Sequence, residues 1–173
     1  MHVLLSVAYI IDALNEWVGR SVKWLVLLVT IISTVNALVR YAFGISSNAG
    51  LEIQWYLFGA LFLLAAGYTL KHNAHVRIDF IYGRLSKRGQ ALIDIVGVVL
   101  FLLPFTALII WFSWPMFMLA WQSGEMSPDA GGLLRWPVKL LIPVGFLLLA
   151  LQGVAELIKS TAVLLVQDTE HPV

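Results

Sequence analysis

Four long apolar runs constrain the fold of this chain more than any other feature. They cover residues 22–39, 51–70, 91–121 and 137–166, and short polar segments separate them. A helix that crosses the roughly 30 Å hydrocarbon core of a bilayer needs about 20 apolar residues, and each run is close to or above that length. We therefore predict an all-α integral membrane protein with four transmembrane helices, in one membrane domain over residues 1–173.

The composition agrees with a membrane chain and argues against several functions. Only 12% of the residues are charged, whereas soluble domains usually carry about 25%. The four runs and their connections use almost the whole length, so we predict no catalytic domain, no catalytic residue and no enzyme activity. The lack of cysteine removes thiolate chemistry, and a net charge of +1 argues against a nucleic-acid partner.

The histidine positions argue against a haem or metal centre. Two histidines that ligate haem in a helical bundle must lie inside facing spans, and none lies there. His72 and His75 are three residues apart at the end of a span, without a carboxylate or thiol cluster to complete a metal site. We therefore expect no cofactor and no bound metal.

Residues 3–20 predict an amphipathic helix before the first span. Asp12, Glu16 and Arg20 share one face, and Glu16 and Arg20 have the i,i+4 spacing of a stabilising ion pair. Large apolar residues occupy another face: Val3, Leu4, Val7, Ile10, Ile11, Leu14, Trp17 and Val18. The pattern favours a helix that lies in the membrane interface, and the alternative is a soluble helix packed on a partner.

The third and fourth spans are longer than one crossing requires. Residues 91–121 would form a helix about 45 Å long, which exceeds the thickness of the hydrocarbon core. Such a helix must tilt, bend or project beyond the bilayer. Pro104 and Pro115 remove backbone donors within it, so they are the predicted kink points.

Lysine and arginine determine the predicted orientation. Eight of them fall on the side of the termini and the 71–90 loop, and three fall on the other side. Because basic residues concentrate on the cytoplasmic face, we predict cytoplasmic termini (N-in/C-in) and outward-facing loops at 40–50 and 122–136. The basic residues of the inner loop and the tryptophans near span ends are candidates for lipid headgroup contact: Arg77, Arg84, Lys87, Arg88, Trp55, Trp121 and Trp136. An effect on topology alone would explain the same basic residues.

Three acids lie at or inside the predicted spans, namely Glu52, Asp94 and Glu156. An acid in a membrane helix is costly and marks a function or a partner. All three lie within one or two turns of a span end, and Glu156 has Lys159 three residues later as an ion-pair partner. We favour paired or interface-level acids, ahead of contact with another membrane subunit and ahead of a proton or cation relay.

Two segments resemble a known family. NALVRYAFG (36–44) and LEIQWYLFGALFLLAAGYTLKHNAHVRIDFIYGRL (51–85) are similar to the small membrane subunit (Q) of TRAP transporters, the tripartite ATP-independent periplasmic transporters. The shared pattern is an asparagine ending the first span, an Arg-Tyr-x-Phe turn, an acid opening the second span and a later His-x-x-x-Asp element. Its positions here are Asn36, Arg40, Tyr41, Phe43, Glu52, His75 and Asp79. The similarity covers the whole length, with a single acid, Glu52, where many relatives have two.

The resemblance implies an accessory role in transport. In that family a large membrane subunit (M) carries the substrate and Na⁺ sites, and a soluble periplasmic protein (P) captures the substrate. We therefore expect a scaffold subunit of a Na⁺-coupled importer in a bacterial or archaeal inner membrane. The expected substrate is an organic anion, either a carboxylate such as a 2-oxo acid or a sulfonate. The alternative is a membrane anchor or assembly subunit of an unrelated complex, such as a respiratory enzyme.

The same resemblance implies roles for individual residues. An ion pair between Arg40 and Glu52 would close the outward turn, and His75 and Asp79 would order the cytoplasmic connection. Loop 122–136 would face the binding protein, and either contact with it or simple exposure to solvent remains open. The candidates for subunit contact or structural support are Asn36, Arg40, Tyr41, Glu52, His75, Asp79, Asp94 and Glu156.

Overall fold

Helices contain most of the described residues. The computed structural model describes residues 2–73 and 82–170. The α-helices within them are α1 His2–Val22, α2 Trp24–Phe43, α3 Asn48–Leu64, α4 Ala66–Lys71, α5 Lys87–Gly97, α6 Leu103–Ser123 and α7 Trp136–Glu170. In this part of the chain β-pairing is limited to an isolated antiparallel bridge between Met126 and Leu134. The predicted all-α class is confirmed.

Four helical segments are long and apolar enough to cross a membrane. They are His2–Phe43, Asn48–Lys71, Lys87–Ser123 and Trp136–Leu165. The number of predicted spans is confirmed in these terms, whereas the side on which the termini lie stays a prediction. The first segment includes α1, because Lys23 alone separates α1 from α2.

Local sequence explains where the helices begin and end. Gly44 adopts a left-handed conformation with φ of 67° and donates its N–H to the carbonyl of Arg40, which ends α2. Glycine adopts this conformation without steric cost. Ser47 then accepts the N–H of Gly50 and caps α3. The chain therefore reverses direction within four residues.

The third span changes its helical geometry before Pro104. A π-helical turn, Val98–Leu102, joins α5 to α6, and the N–H of Leu103 donates to the carbonyl of Val98 five residues earlier. Pro104 has no N–H for the usual helical bond, which is why it is a predicted kink point. The π-helical turn lies just before it. Helix α6 continues through Pro115, and α7 continues through Pro143.

Helix α7 forms the centre of the bundle. It contacts α1, α3, α4, α5, the π-helical turn and α6. Helix α2 packs mainly on α3, with fewer contacts to α1, and none of its residues is buried within the described chain. The 44–47 turn and the 124–135 loop lie together at one end, here named the loop end. Helix α1 and the C-terminal half of α7 lie toward the other, terminal end.

The interior contains small and polar side chains, and many large apolar side chains point outward. Ala120, Ala155 and Gln152 have no exposed surface, whereas Trp111 and Phe101 are largely exposed. This distribution is the reverse of that in a soluble protein. It is expected in a bilayer, where lipid solvates apolar groups and small residues let helices approach closely.

Helix α1 shows the same distribution of buried and exposed side chains. It buries Ala8, Ile11, Asn15, Gly19 and Val22, and its two acids, Asp12 and Glu16, point toward α7 and α4. The large residues of the predicted apolar face are mostly exposed, Trp17 among them. Helix α1 includes residues 3–20, and its acids Asp12 and Glu16 pack on the bundle. A separate amphipathic helix in the membrane interface stays a prediction.

Candidate functional site

The first polar cluster joins α1 to α7 and is named the terminal cluster: Asp12, Asn15, Glu16, Lys71, His72, Gln152, Glu156 and Lys159. Lys159 Nζ lies 3.2 Å from both carboxylate oxygens of Asp12 and 2.6 Å from Glu156 Oε1. Gln152 Nε2 donates to the same two acids, at 2.7 Å and 3.0 Å. The predicted pairing of Glu156 with Lys159 is confirmed, and Asp12 extends it to a second helix.

The same cluster joins α1 to the end of α4. Glu16 accepts bonds from Lys71 Nζ at 2.8 Å and from Arg20 Nε at 2.7 Å, and His72 Nε2 lies 2.8 Å from it. Lys71 also donates to the backbone carbonyl of Asp12. The predicted pair of Glu16 and Arg20 is confirmed. One carboxylate therefore holds the second span against α1.

Asn15 and Gln152 form the fully buried part of the terminal cluster. Asn15 Nδ2 donates to Gln152 Oε1 at 3.0 Å. Among the described residues Asn15 Oδ1 has no N–H or O–H partner, and it lies against the Cα of Gly67. Such close approach allows a weak Cα–H···O contact. A glycine is therefore required where α4 meets α1.

Removing the shared cation should weaken the terminal cluster. We expect Lys159→Met to destabilise the fold by about 2 kcal/mol, because Asp12 and Glu156 would then face each other in a partly buried site. Arg20→Ala should cost less than about 0.5 kcal/mol, since the side chain of Arg20 is 70% exposed. Unfolding of both variants in detergent, followed by circular dichroism, measures the difference. If Lys159→Met costs as little stability as Arg20→Ala, Lys159 does not stabilise the terminal cluster.

The second polar cluster is named the loop clamp, and it fixes the 124–135 loop to the start of α3. Glu52, only 3% exposed, accepts the hydroxyl of Ser127 and, at 2.7 Å, the N–H of Leu133. Tyr56 Oη donates to the carbonyl of Leu134 at 3.0 Å, and Asn48 Nδ2 to that of Ala130 at 2.9 Å. Three side chains of α3 therefore form hydrogen bonds to four residues of the loop.

The loop is also ordered by its own contacts. The N–H of Ser127 donates to the carbonyl of Leu133 at 2.9 Å, and the N–H of Arg135 donates to that of Glu125 at 2.8 Å. Lys139 pairs with the carboxylate of Glu125. The Arg135 guanidinium lies 5.7 Å from the centre of the Trp55 ring, within cation–π range. The loop is therefore a fixed surface at the loop end.

The expected ion pair between Arg40 and Glu52 is wrong. The described contacts of Glu52 are with Ser127 and Leu133, and the nearby cation is Arg135. The 124–135 loop lies against Glu52, so the donors to its carboxylate come from this loop and not from the turn between α2 and α3. Arg40 instead lines a cavity between α2 and α3, together with Asn36.

The remaining predicted residues are dispersed. Tyr41 is 93% exposed, and Asp94 accepts the Tyr82 hydroxyl at 2.7 Å. Trp121 and Trp136 pack edge to face at the loop end, with ring centres 4.5 Å apart. Lys87 is the first residue of α5, with Arg84 and Arg88 beside it in sequence. His75, Arg77 and Asp79 lie outside the described residues.

The sequence identified the charged residues Asp12, Glu16, Glu156 and Lys159 of the terminal cluster but did not predict that α1 and α7 meet there, and Asn15, Lys71 and Gln152 were missed. Of the side chains in the loop clamp, Glu52 alone was a candidate for contact. Asn15 and Gln152 are amides within apolar helices, and such residues mark helix contacts in membranes. That signal was available. Ser127 offered none, because a serine in a polar loop has no distinguishing context.

Both clusters are suited to holding helices and a loop in place. The positive and negative side chains of the terminal cluster face one another at 2.6–3.2 Å. The loop clamp consists of hydrogen bonds from the loop to Glu52 and from Tyr56 and Asn48 to loop carbonyls. Within the described residues, no three His, Cys, Asp or Glu side chains are grouped for a metal ion.

Comparison with protein-family models identifies a family. A family model described as "Tripartite ATP-independent periplasmic transporters, DctQ component" matches residues 29–162, which is most of the chain. The match includes α3 to α6, the loop clamp and the α7 part of the terminal cluster. No curated protein and no solved structure matches.

Proposed function

The chain belongs to the family of DctQ components of tripartite ATP-independent periplasmic transporters, and from this we propose that it is the scaffold for a substrate-carrying membrane subunit. The family is one of transporter components, and the tripartite system implies a second membrane subunit and a periplasmic binding protein. A role as anchor of a respiratory enzyme is not favoured by this membership. We further propose that the complex imports an organic anion, a carboxylate such as a 2-oxo acid or a sulfonate, coupled to Na⁺.

The exposure of α2 is the observation that supports this proposal best. This helix of 20 residues buries none of them within the described chain. Its side opposite α3 carries Leu27, Ile31, Thr34 and Leu38, all exposed. Helix association in a membrane depends on packing between helices rather than on avoidance of water. We propose that the large membrane subunit packs on this side of α2.

The loop clamp supports a second contact. We propose that the loop end faces outward, because the excess of lysine and arginine lies toward the other end of the bundle. The 124–135 loop would then present a fixed surface to the compartment of the binding protein. A fixed loop loses little conformational entropy when a partner binds.

A steric substitution tests the α2 surface. Among the described residues the Thr34 hydroxyl donates to the Thr30 carbonyl of its own helix, so Thr34→Trp breaks no described bond between helices. We expect this variant to recover about tenfold less of the large subunit when the two are co-purified, since overpacking costs about 1–3 kcal/mol. Leu108→Trp, at an exposed site on α6, is the matched control and should recover it normally.

Two results would contradict the proposal in different ways. Normal recovery with Thr34→Trp would show that the large subunit uses another face. Failure of the unchanged chain to co-purify, together with anion uptake that persists without this chain, would show that it is not the scaffold.

A further inference from the structure

A cavity between α2 and α3 at the loop end is separate from both polar clusters. Its volume is about 130 Å³, well above the roughly 30 Å³ that one water molecule occupies. Five polar residues line it: Ser33, Asn36, Arg40, Ser46 and Gln54. The cavity lies beside the turn between the first two spans.

The lining of this cavity is rich in donors and contains no acid. Arg40 contributes a full positive charge, and the described structure shows no carboxylate bonded to it. Asn36 Nδ2 is buried and has no hydrogen-bond partner among the described residues. Gln54 uses one amide hydrogen on the Gly50 carbonyl at 2.8 Å and keeps the other. Glu52, the acid on the same helix, is held in the loop clamp.

A buried donor without an acceptor is costly, because it loses its bonds to water and gains none. An anion in the cavity would accept from Gln54 and the two serines and would neutralise Arg40, and a turn of the Asn36 amide would bring its buried Nδ2 to the same anion. A tetrahedral oxyanion suits this set, since its several oxygens can accept from donors on different sides. A neutral or cationic ligand would leave the charge of Arg40 unbalanced.

The neighbouring residues indicate the depth of the cavity in the membrane. Tyr41, Phe43 and Ile45 directly follow Arg40 and are strongly exposed. Aromatic residues at the end of a span lie at the level of lipid headgroups. Arginine at the same depth keeps its charge among the headgroups. The cavity therefore opens where phospholipid phosphates are concentrated.

We propose that this cavity binds a phosphate group, supplied by a membrane phospholipid, with Arg40 and Asn36 as the principal ligands. The bound phosphate would link α2 to α3, which share few other polar contacts. The proposal does not depend on the transport role, because it concerns the chain by itself.

The test measures phospholipid bound to the purified full-length chain in detergent. We expect native mass spectrometry to show retained phospholipid on the unchanged chain, and about tenfold weaker retention in Arg40→Gln and in Ser33→Leu, which fills the cavity. Lys139→Gln removes a cation at the same end outside the cavity and should retain lipid normally. Circular dichroism checks that each variant is folded, and Ser33→Leu decides the case should Arg40→Gln fail to fold.

Added probes identify the source of the phosphate. Phosphatidylglycerol should raise the unfolding midpoint of the unchanged chain, and diacylglycerol with the same acyl chains should not. An equal rise with inorganic phosphate would support the phosphate site and identify a free ion as its source. Equal rises with both lipids, or a rise that persists in Arg40→Gln, would overturn the proposal. Normal lipid retention in Arg40→Gln with loss of the large subunit would assign the cavity to an acidic side chain of that subunit.

Discussion

Glu52→Ala should release the 124–135 loop from α3. The substitution removes the acceptor for Ser127 and for the N–H of Leu133, in a site that is almost fully buried. Hydrogen bonds to a charged group contribute about 1.5–3 kcal/mol each, so we expect a loss of about 3 kcal/mol in the stability of the loop. Hydrogen exchange at the Leu133 amide should then accelerate by about 100-fold.

Glu125→Ala is the matched control for this prediction. Glu125 lies in the same loop and pairs with Lys139, but its side chain is 39% exposed. Such a pair contributes less than about 1 kcal/mol, so exchange at Leu133 should change by only a few-fold. Similar acceleration in both variants would show that the loop is held by something other than Glu52. If the loop also contacts the binding protein, Glu52→Ala should weaken that contact without affecting assembly with the large subunit.

Gly67→Ala should destabilise the contact between α1, α4 and α7. A Cβ at this position would collide with the amide of Asn15 and lie 3.1 Å from the carbonyl oxygen of Leu148. Neither group can move freely, because Asn15 is bonded to Gln152 and Leu148 belongs to the backbone of α7. We expect a loss of about 2–3 kcal/mol, or about 5–10 °C in the unfolding midpoint.

Gly59→Ala provides the control within the second span. A Cβ at Gly59 meets nothing within 4 Å, and alanine in a helix is more stable than glycine by about 0.5–1 kcal/mol. This variant should therefore unfold at the same temperature or slightly higher. If Gly67→Ala also unfolds no earlier than the unchanged chain, Asn15 of α1 does not lie in close contact with Gly67 of α4.

The helices and the two clusters differ in how far the sequence predicts them. The apolar runs predict four spans because hydrophobic length alone decides whether a helix can cross a bilayer. The partner of Glu52 could not be predicted in this way. Arg40 lies close in sequence, yet the acceptor is used by Ser127 and Leu133, which are 75 and 81 residues away.

Helix α1 illustrates a second limit. Its pattern of apolar and charged faces predicts an amphipathic helix, and the pattern is the same whether the charged face meets water or a polar contact inside the bundle. The structure shows that Asp12 and Glu16 meet Lys159 and Lys71. Only the spatial positions of these two lysines distinguish the two cases, and local periodicity contains no information on them.

The terminal cluster has a consequence for the order in which the protein is made. Asp12 leaves the ribosome 147 residues before Lys159, which at about 5–20 residues per second is a delay of roughly 7–30 seconds. Glu16 meets Lys71 earlier, after 55 residues. Between these two times Glu16 can pair with Lys71, whereas Asp12 has no cation to pair with. Synthesis of the last long helix therefore completes the attachment of the first.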